Sequence, residues 1–136
     1  MVPIKQIQAL ANEEIADISL YKKESEMFSK KIISGKRIGD IFSKLAEEEE
    51  YHLKALSEIS GRNIKFNIRK IATSSSLKKT LLVHIKREEE SVRLYEETAK
   101  SCENEIKRKI FLKIAEQERK HLKIMSRYFL LIGKKQ

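Results

Sequence analysis

The sequence predicts an all-α chain folded as a four-helix bundle, two helical hairpins joined by one long crossover, and three observations carry that expectation. The 136 residues are 36% charged and 40% hydrophobic with only four Gly and one Pro, which lacks the frequent turn residues of a β-sandwich and the Pro/Gly excess of disordered or collagen-like chains. The breakers Pro3, Gly35, Gly39, Gly61, the run Ser74 to Ser76, and Gly133 cut the chain into four long segments. Within each segment, inner residues recur at alternating steps of three and four, the period of one buried helix face. A chain of this length makes one domain, residues 1–136.

Helix 1 is expected from Pro3, which suits a first turn, to about Ser29, with the inner seam Ile7, Ala11, Glu14, Ile18, Tyr21, Ser25, Phe28. Helix 2 runs from about Lys36 to Ser60, where Gly61 is a good C-terminal cap, with the seam Ile38, Phe42, Leu45, Glu49, His52, Leu56, Ile59. The stretch from Gly61 to about Thr73 shows no amphipathic pattern. Ser74 to Ser76 supply capping hydroxyls for helix 3, which continues to about Ser101 on the seam Leu77, Leu81, His84, Glu88, Ser91, Tyr95, Thr98, Cys102. After a tight turn near Cys102 to Glu105, helix 4 reaches about Ile132 with Phe111, Ile114, Glu118, His121, Met125, Tyr128, Ile132 inside.

An internal repeat supports this register. Glu14 with Tyr21 recurs as Glu88 with Tyr95, and Ala46, Glu49, His52 recurs as Ala115, Glu118, His121. Glu14 and Glu49 lie 35 residues apart and Glu88 and Glu118 lie 30, so the first hairpin carries five more residues, expected as a longer loop around Lys30 to Lys36. The thirteen to sixteen residues between the hairpins reach roughly 43 to 53 Å when extended, against about 37 Å for a 25-residue helix. That linker can cross the whole bundle and let helices 2 and 3 run the same way, the topology of a ferritin-like bundle. An up-down-up-down bundle needs only a few residues there.

Every seam is interrupted at one level by Glu, and twice by Glu followed three residues later by His. Glu14, Glu49, Glu88 and Glu118 would then share one layer of the bundle, with His52 and His121 one turn away on the same faces. Clustered carboxylates away from water cost several kcal/mol each, and the seams hold no Lys or Arg to offset them. Four carboxylates formally balance two divalent cations, and each imidazole adds one further ligand. Oxygen-rich ligation with one His per metal suits iron or manganese better than structural zinc, and a single cysteine, Cys102, excludes a Cys-only metal site or an internal disulfide. With 18 Glu in 136 residues a lone Glu-x-x-His would say little. Two such pairs, each preceded by Ala at the same spacing and matched by Glu in the other two seams, say more: this is the pattern of ferritin-like di-iron or di-manganese proteins.

The segments Glu14 to Tyr21 (EIADISLY), Leu45 to His52 (LAEEEEYH), Glu88 to Tyr95 (EEESVRLY) and Ile114 to His121 (IAEQERKH) resemble the rubrerythrin family, specifically its small ferritin-like di-iron domains without an attached rubredoxin, over nearly the whole chain. The resemblance implies two iron ions, with manganese or mixed metals as alternatives. It implies Glu14 and Glu88 as one set of carboxylate ligands, and Glu49 with His52 and Glu118 with His121 as the other. It also implies reduction of hydrogen peroxide or scavenging of dioxygen, protection against oxidative stress, while related ferritin-like domains oxidise or store iron. Peroxide-reducing members typically carry an extra helix 3 carboxylate. Here the seam offers His84 and Ser91 one turn from Glu88, and Glu89 and Glu90 point elsewhere. No CxxC pair of a rubredoxin is present, so electrons come from a separate donor, a rubredoxin-like protein or a flavoprotein.

Around the ligands, Tyr21 and Tyr95 are candidates to hydrogen-bond ligand carboxylates or supply an electron, with aromatic core packing as the simpler role. His84, whose helix 1 counterpart is Leu10, is a candidate extra ligand or proton donor, with a hydrogen-bonded inner histidine as the default. Cys102 reads as a small buried hydrophobe, and of the run Glu47 to Glu50 only Glu49 lies in the seam.

No stretch approaches the roughly 18 apolar residues of a membrane span, and the start lacks a signal peptide's layout, so a cytoplasmic protein with no membrane partner is expected. The formal charge is +9, and withdrawing four of the twenty acids into a metal site leaves 29 basic groups against 16, an excess of +13. From Ile59 to Arg87 there is no acid, while Arg62, Lys65, Arg69, Lys70, Lys78, Lys79, Lys86 and Arg87 fall there, a basic strap suited to an acidic electron donor. The expected assembly is a homodimer. An iron-storing ferroxidase and a basic miniferritin-like DNA binder are the alternatives. Nucleic acid is not the expected partner, since miniferritins place their metal site between subunits and this chain carries a full ligand set itself.

Overall fold

The computed structural model describes residues 4–31, 35–61, 73 and 76–134. They form four helices, α1 (Ile4–Lys31), α2 (Gly35–Ser60), α3 (Leu77–Ser101) and α4 (Glu105–Lys134), with no strand among the described residues. Each helix keeps its apolar residues at the three- and four-residue steps seen in the sequence, so each has one face that must be covered. Coverage comes from hairpin pairing: α1 packs along α2, and α3 along α4, the units from which a four-helix bundle is built. The crossover and the Arg62 to Lys70 part of the basic strap lie outside the described residues.

In the first hairpin, Ile7, Leu10, Ala11 and Phe28 of α1 and Phe42, Leu45, Ala46 and Leu56 of α2 are buried. Tyr21 stacks on Phe42 at 5.8 Å between ring centroids, and Phe28 adds a tilted contact to the same ring at 6.0 Å. Near the turn the Ser25 hydroxyl donates to the Gly39 carbonyl at 2.6 Å, tying α1 to α2. The helix α2 ends as expected on Gly61, whose φ of 64° is the left-handed conformation that side chains disfavour.

In the second hairpin, Leu81, Tyr95, Ala99 and Cys102 pack with Phe111, Ile114, Ala115 and Met125 in the buried set, with Tyr95 tilted against Phe111 at 6.5 Å. Ser76 caps α3, its hydroxyl accepting from the Lys79 N–H at 3.3 Å, so the serine run supplies the cap at its last member. The turn to α4 is built by Cys102 in extended conformation, by Arg108 donating to the Cys102 carbonyl at 2.8 and 3.1 Å, and by Asn104, whose side chain accepts from the Lys107 N–H at 3.0 Å.

One expectation needs correction. The five extra residues of the first hairpin do not lengthen its loop. Three residues separate the helices in both hairpins; α1 instead runs 17 residues beyond Glu14 to Lys31, against 13 from Glu88 to Ser101 in α3, and α2 starts 14 residues before Glu49, against 13 from Glu105 to Glu118 in α4. Helical continuation satisfies backbone groups that a longer loop would leave to water, and the added turn places Phe28 on Phe42.

Candidate metal centre

The heptad-like seams decide where the acids go. Residues three and four apart share a helix face, so Glu14, Glu49, Glu88 and Glu118 turn inward together with the apolar residues around them, and His52 and His121 follow one turn later. All six residues are buried, none more than 2% exposed, and no Lys or Arg is buried among the described residues. The structure therefore places every expected ligand inside, two carboxylates and one imidazole per hairpin.

In the first hairpin, His52 Nδ1 lies 3.6 Å from Glu14 Oε1 and 3.7 Å from Glu49 Oε1. In the second, His121 Nδ1 lies 3.8 Å from Glu88 Oε1 and 3.6 Å from Glu118 Oε2. Within each triad the three donor atoms lie within 4.8 Å of one another. These separations exceed a hydrogen bond. They approach the spacing of two donors on one cation, about 3.0 to 3.6 Å for bonds near 2.1 Å at ordinary coordination angles. Donor chemistry agrees with geometry: two carboxylates match the charge of one divalent ion, and an imidazole adds a neutral ligand suited to iron or manganese. The residues present fit a metal.

Electrostatics lead the same way. Burial pushes the His121 imidazole toward its neutral form, but Glu118 and Glu88 beside it outweigh burial and raise its pKa from 6.5 to about 11. Without a cation the two carboxylates therefore favour the protonated His121 imidazole, and a metal binding there would compete with that proton.

The surrounding residues divide clearly. Tyr21 and Tyr95 are fully buried with their rings on Phe42 and Phe111, so aromatic packing is part of the role of each. His84 is also fully buried, one turn before Glu88, yet its nitrogens do not join the clustered donors. Ser91 is buried, and Glu89 and Glu90 face solvent as their seam positions require. Glu50 pairs with Lys22 at 2.8 Å on the surface while its neighbour Glu49 is inside. Two buried acids on α1, Asp17 and Glu24, escaped the sequence reading. The signal was there: Asp17 follows Glu14 by three, the same step that separates Glu from His in the other motifs, and Glu24 follows Asp17 by two turns.

Paired helical hairpins that bury Glu, Glu and His in each half define a ferritin-like carboxylate protein able to hold metal. The model of the rubrerythrin family matches residues 8–129, and the chain belongs to that family. No curated protein matches it.

Proposed function

We propose that this chain is a non-haem dinuclear-iron oxidoreductase that reduces hydrogen peroxide or dioxygen with electrons from a separate donor. The observation that carries this is the duplicated buried triad, Glu14, Glu49 and His52 in one hairpin and Glu88, Glu118 and His121 in the other. Each triad would hold one iron ion. Bound there, two ferrous ions supply the two electrons that, with two protons, convert hydrogen peroxide to two waters. The chain's own part is to fix donor positions and exclude bulk water with the apolar residues above and below the triads. His84, one turn before Glu88, and Tyr21 and Tyr95, two turns beyond Glu14 and Glu88, are buried groups with protons to donate, and a separate donor completes the cycle.

Anaerobic titration with ferrous iron, followed by challenge with peroxide or with oxygen under spectral observation, tests the reading. Saturation at two metals per chain and peroxide-dependent reoxidation that is lost in Glu49→Ala support it. Equal reoxidation rates in that variant sink it, and uptake of many more irons per chain replaces it with storage.

A further inference from the structure

The outer face of α4 carries a continuous row of exposed, mostly basic residues. Lys109, Lys113, Glu116, Lys120, Lys123, Arg127 and Leu130 follow one another at steps of four and three, so they form a single exposed stripe down the helix. Glu116 is taken up by Arg119, which also pairs with Glu96, and Lys109 sits 3.8 Å from Glu105. Lys113, Lys120, Lys123 and Arg127 have no ion-pair partner among the described residues. Four uncompensated cations therefore line about 21 Å of rigid helix at about 1.5 Å per residue. Other exposed cations do find acids: on α3 Arg93 bonds both Glu90 and Glu97, and on α1 Lys22 meets Glu50.

The stripe ends on apolar surface. Leu130 is 64% exposed and Leu131 45%, and an open groove runs between Leu122, Lys123, Ser126, Arg127, Leu130 and Leu131. A phosphate backbone has no use for two exposed leucines, whereas a protein partner with an apolar centre and an acidic rim uses both parts. Position adds a reason. The opposite side of the same turns of α4 carries Glu118 and His121, and a helix with its side chains is about 10 to 12 Å across. A partner on the outer face stands about one helix diameter from a metal-binding imidazole.

We propose that the outer face of α4, from Lys113 to Leu131, is the docking surface for a small acidic one-electron carrier protein, an assignment that rests on the redox reading above for the partner's identity. The cations steer and orient the carrier, and Leu130 and Leu131 supply the apolar contact that holds it. This surface is separate from the basic strap that the sequence suggested.

Fluorescence anisotropy of dye-labelled rubredoxin, a small acidic iron protein, titrated with the full chain tests the surface whether or not metal is loaded. The triple variant Lys120→Glu, Lys123→Glu, Arg127→Glu is expected to bind at least tenfold more weakly, and wild-type binding weakens as salt rises. Leu130→Ala with Leu131→Ala, which leaves the charges in place, is expected to bind several-fold more weakly. Undiminished binding by the triple variant overturns the proposal. So does loss of binding on reversal of Arg69 and Lys70 alone, or tight binding of duplex DNA by a chain that ignores rubredoxin. If the chain binds rubredoxin through this face but takes up no iron, the redox reading fails while the docking surface stands.

Discussion

The two hairpins carry the same ligand motif in different surroundings. Glu14 and Tyr21 align with Glu88 and Tyr95, and Glu49 and His52 with Glu118 and His121, and in both halves the imidazole stands 3.6 to 3.8 Å from its two carboxylates. Carried along the same offsets, Leu10 faces the role of His84, Asp17 that of Ser91, and Glu24 that of Thr98, all of them buried. The first half therefore buries two additional acids, and the second buries an additional histidine and two hydroxyls. The aromatic support differs too: among the described residues Phe42 is gripped by Tyr21 and Phe28, while Phe111 meets Tyr95, Cys102 standing where Phe28 would. The two halves share the buried Glu, Glu and His but not their neighbours, so any metal held by the two triads would meet unequal surroundings.

The sharpest way to break the comparison is to remove one shared ligand per half. Glu49→Ala and Glu118→Ala should each lower metal affinity by at least about 100-fold, since even groups that only orient a ligand cost 10- to 100-fold. Metal analysis after dialysis of each variant checks this. Retention of two metals in either variant would remove that carboxylate from the ligand set. A core substitution comes next. Phe42→Ala should destabilise by about 4 kcal/mol and Phe111→Ala by nearer about 3 kcal/mol, because more aromatic contact is lost in the first hairpin. Denaturant melts decide, and equal losses would mean that Cys102 packs as effectively as Phe28.

The proton on His121 gives an effect of about tenfold per pH unit. Its folded-state pKa, about 11, lies above the unfolded 6.5. The stability it adds to the metal-free chain is therefore complete below pH 6.5 and disappears as pH rises toward 11. Metal uptake has the opposite sense, because the bound imidazole must be neutral: affinity should rise with pH through that window, with a proton released per metal entering the second triad. Titration in weak buffer reads that proton directly. No release at pH 7 to 8 would show that His121 is already neutral before metal arrives.

Most of this site was legible in the sequence because its signal is periodic. Each of the six clustered Glu and His residues sits at a seam position, and seam positions are fixed by the helix repeat whatever residue occupies them. The loop between α1 and α2 was misread for a related reason. A count of residues between two ligands cannot say whether the surplus is loop or helix, and Phe28 shows only in three dimensions why another helical turn is favoured. Asp17 and Glu24 were missed because between Glu14, Tyr21 and Phe28 the steps of three and four can be taken in either order, and the order through Ile18 and Ser25 avoids burying two more acids. The charges on α4 were visible singly, but their lack of partners depends on which acids lie within reach.

The smallest expected effect concerns how two helices stop. α2 closes on Gly61 at φ 64°, with the Gly61 N–H donating to the Glu58 carbonyl at 3.3 Å. α3 closes on Cys102 at φ −89°, in ordinary extended backbone, its N–H donating to the Ala99 carbonyl at 3.2 Å. Only the first closure asks for a residue without a side chain. A Cβ at Gly61 would meet nothing within 4 Å, so Gly61→Ala tests backbone conformation alone, uncomplicated by a clash. It should cost about 1 kcal/mol, the penalty for left-handed backbone in an L-residue, and lower Tm by about 4 °C. A thermal melt of the metal-free protein reads it without interference from ligand binding. An unchanged Tm would mean that α2 re-ends without the left-handed turn, in which case the two helices stop by the same means after all.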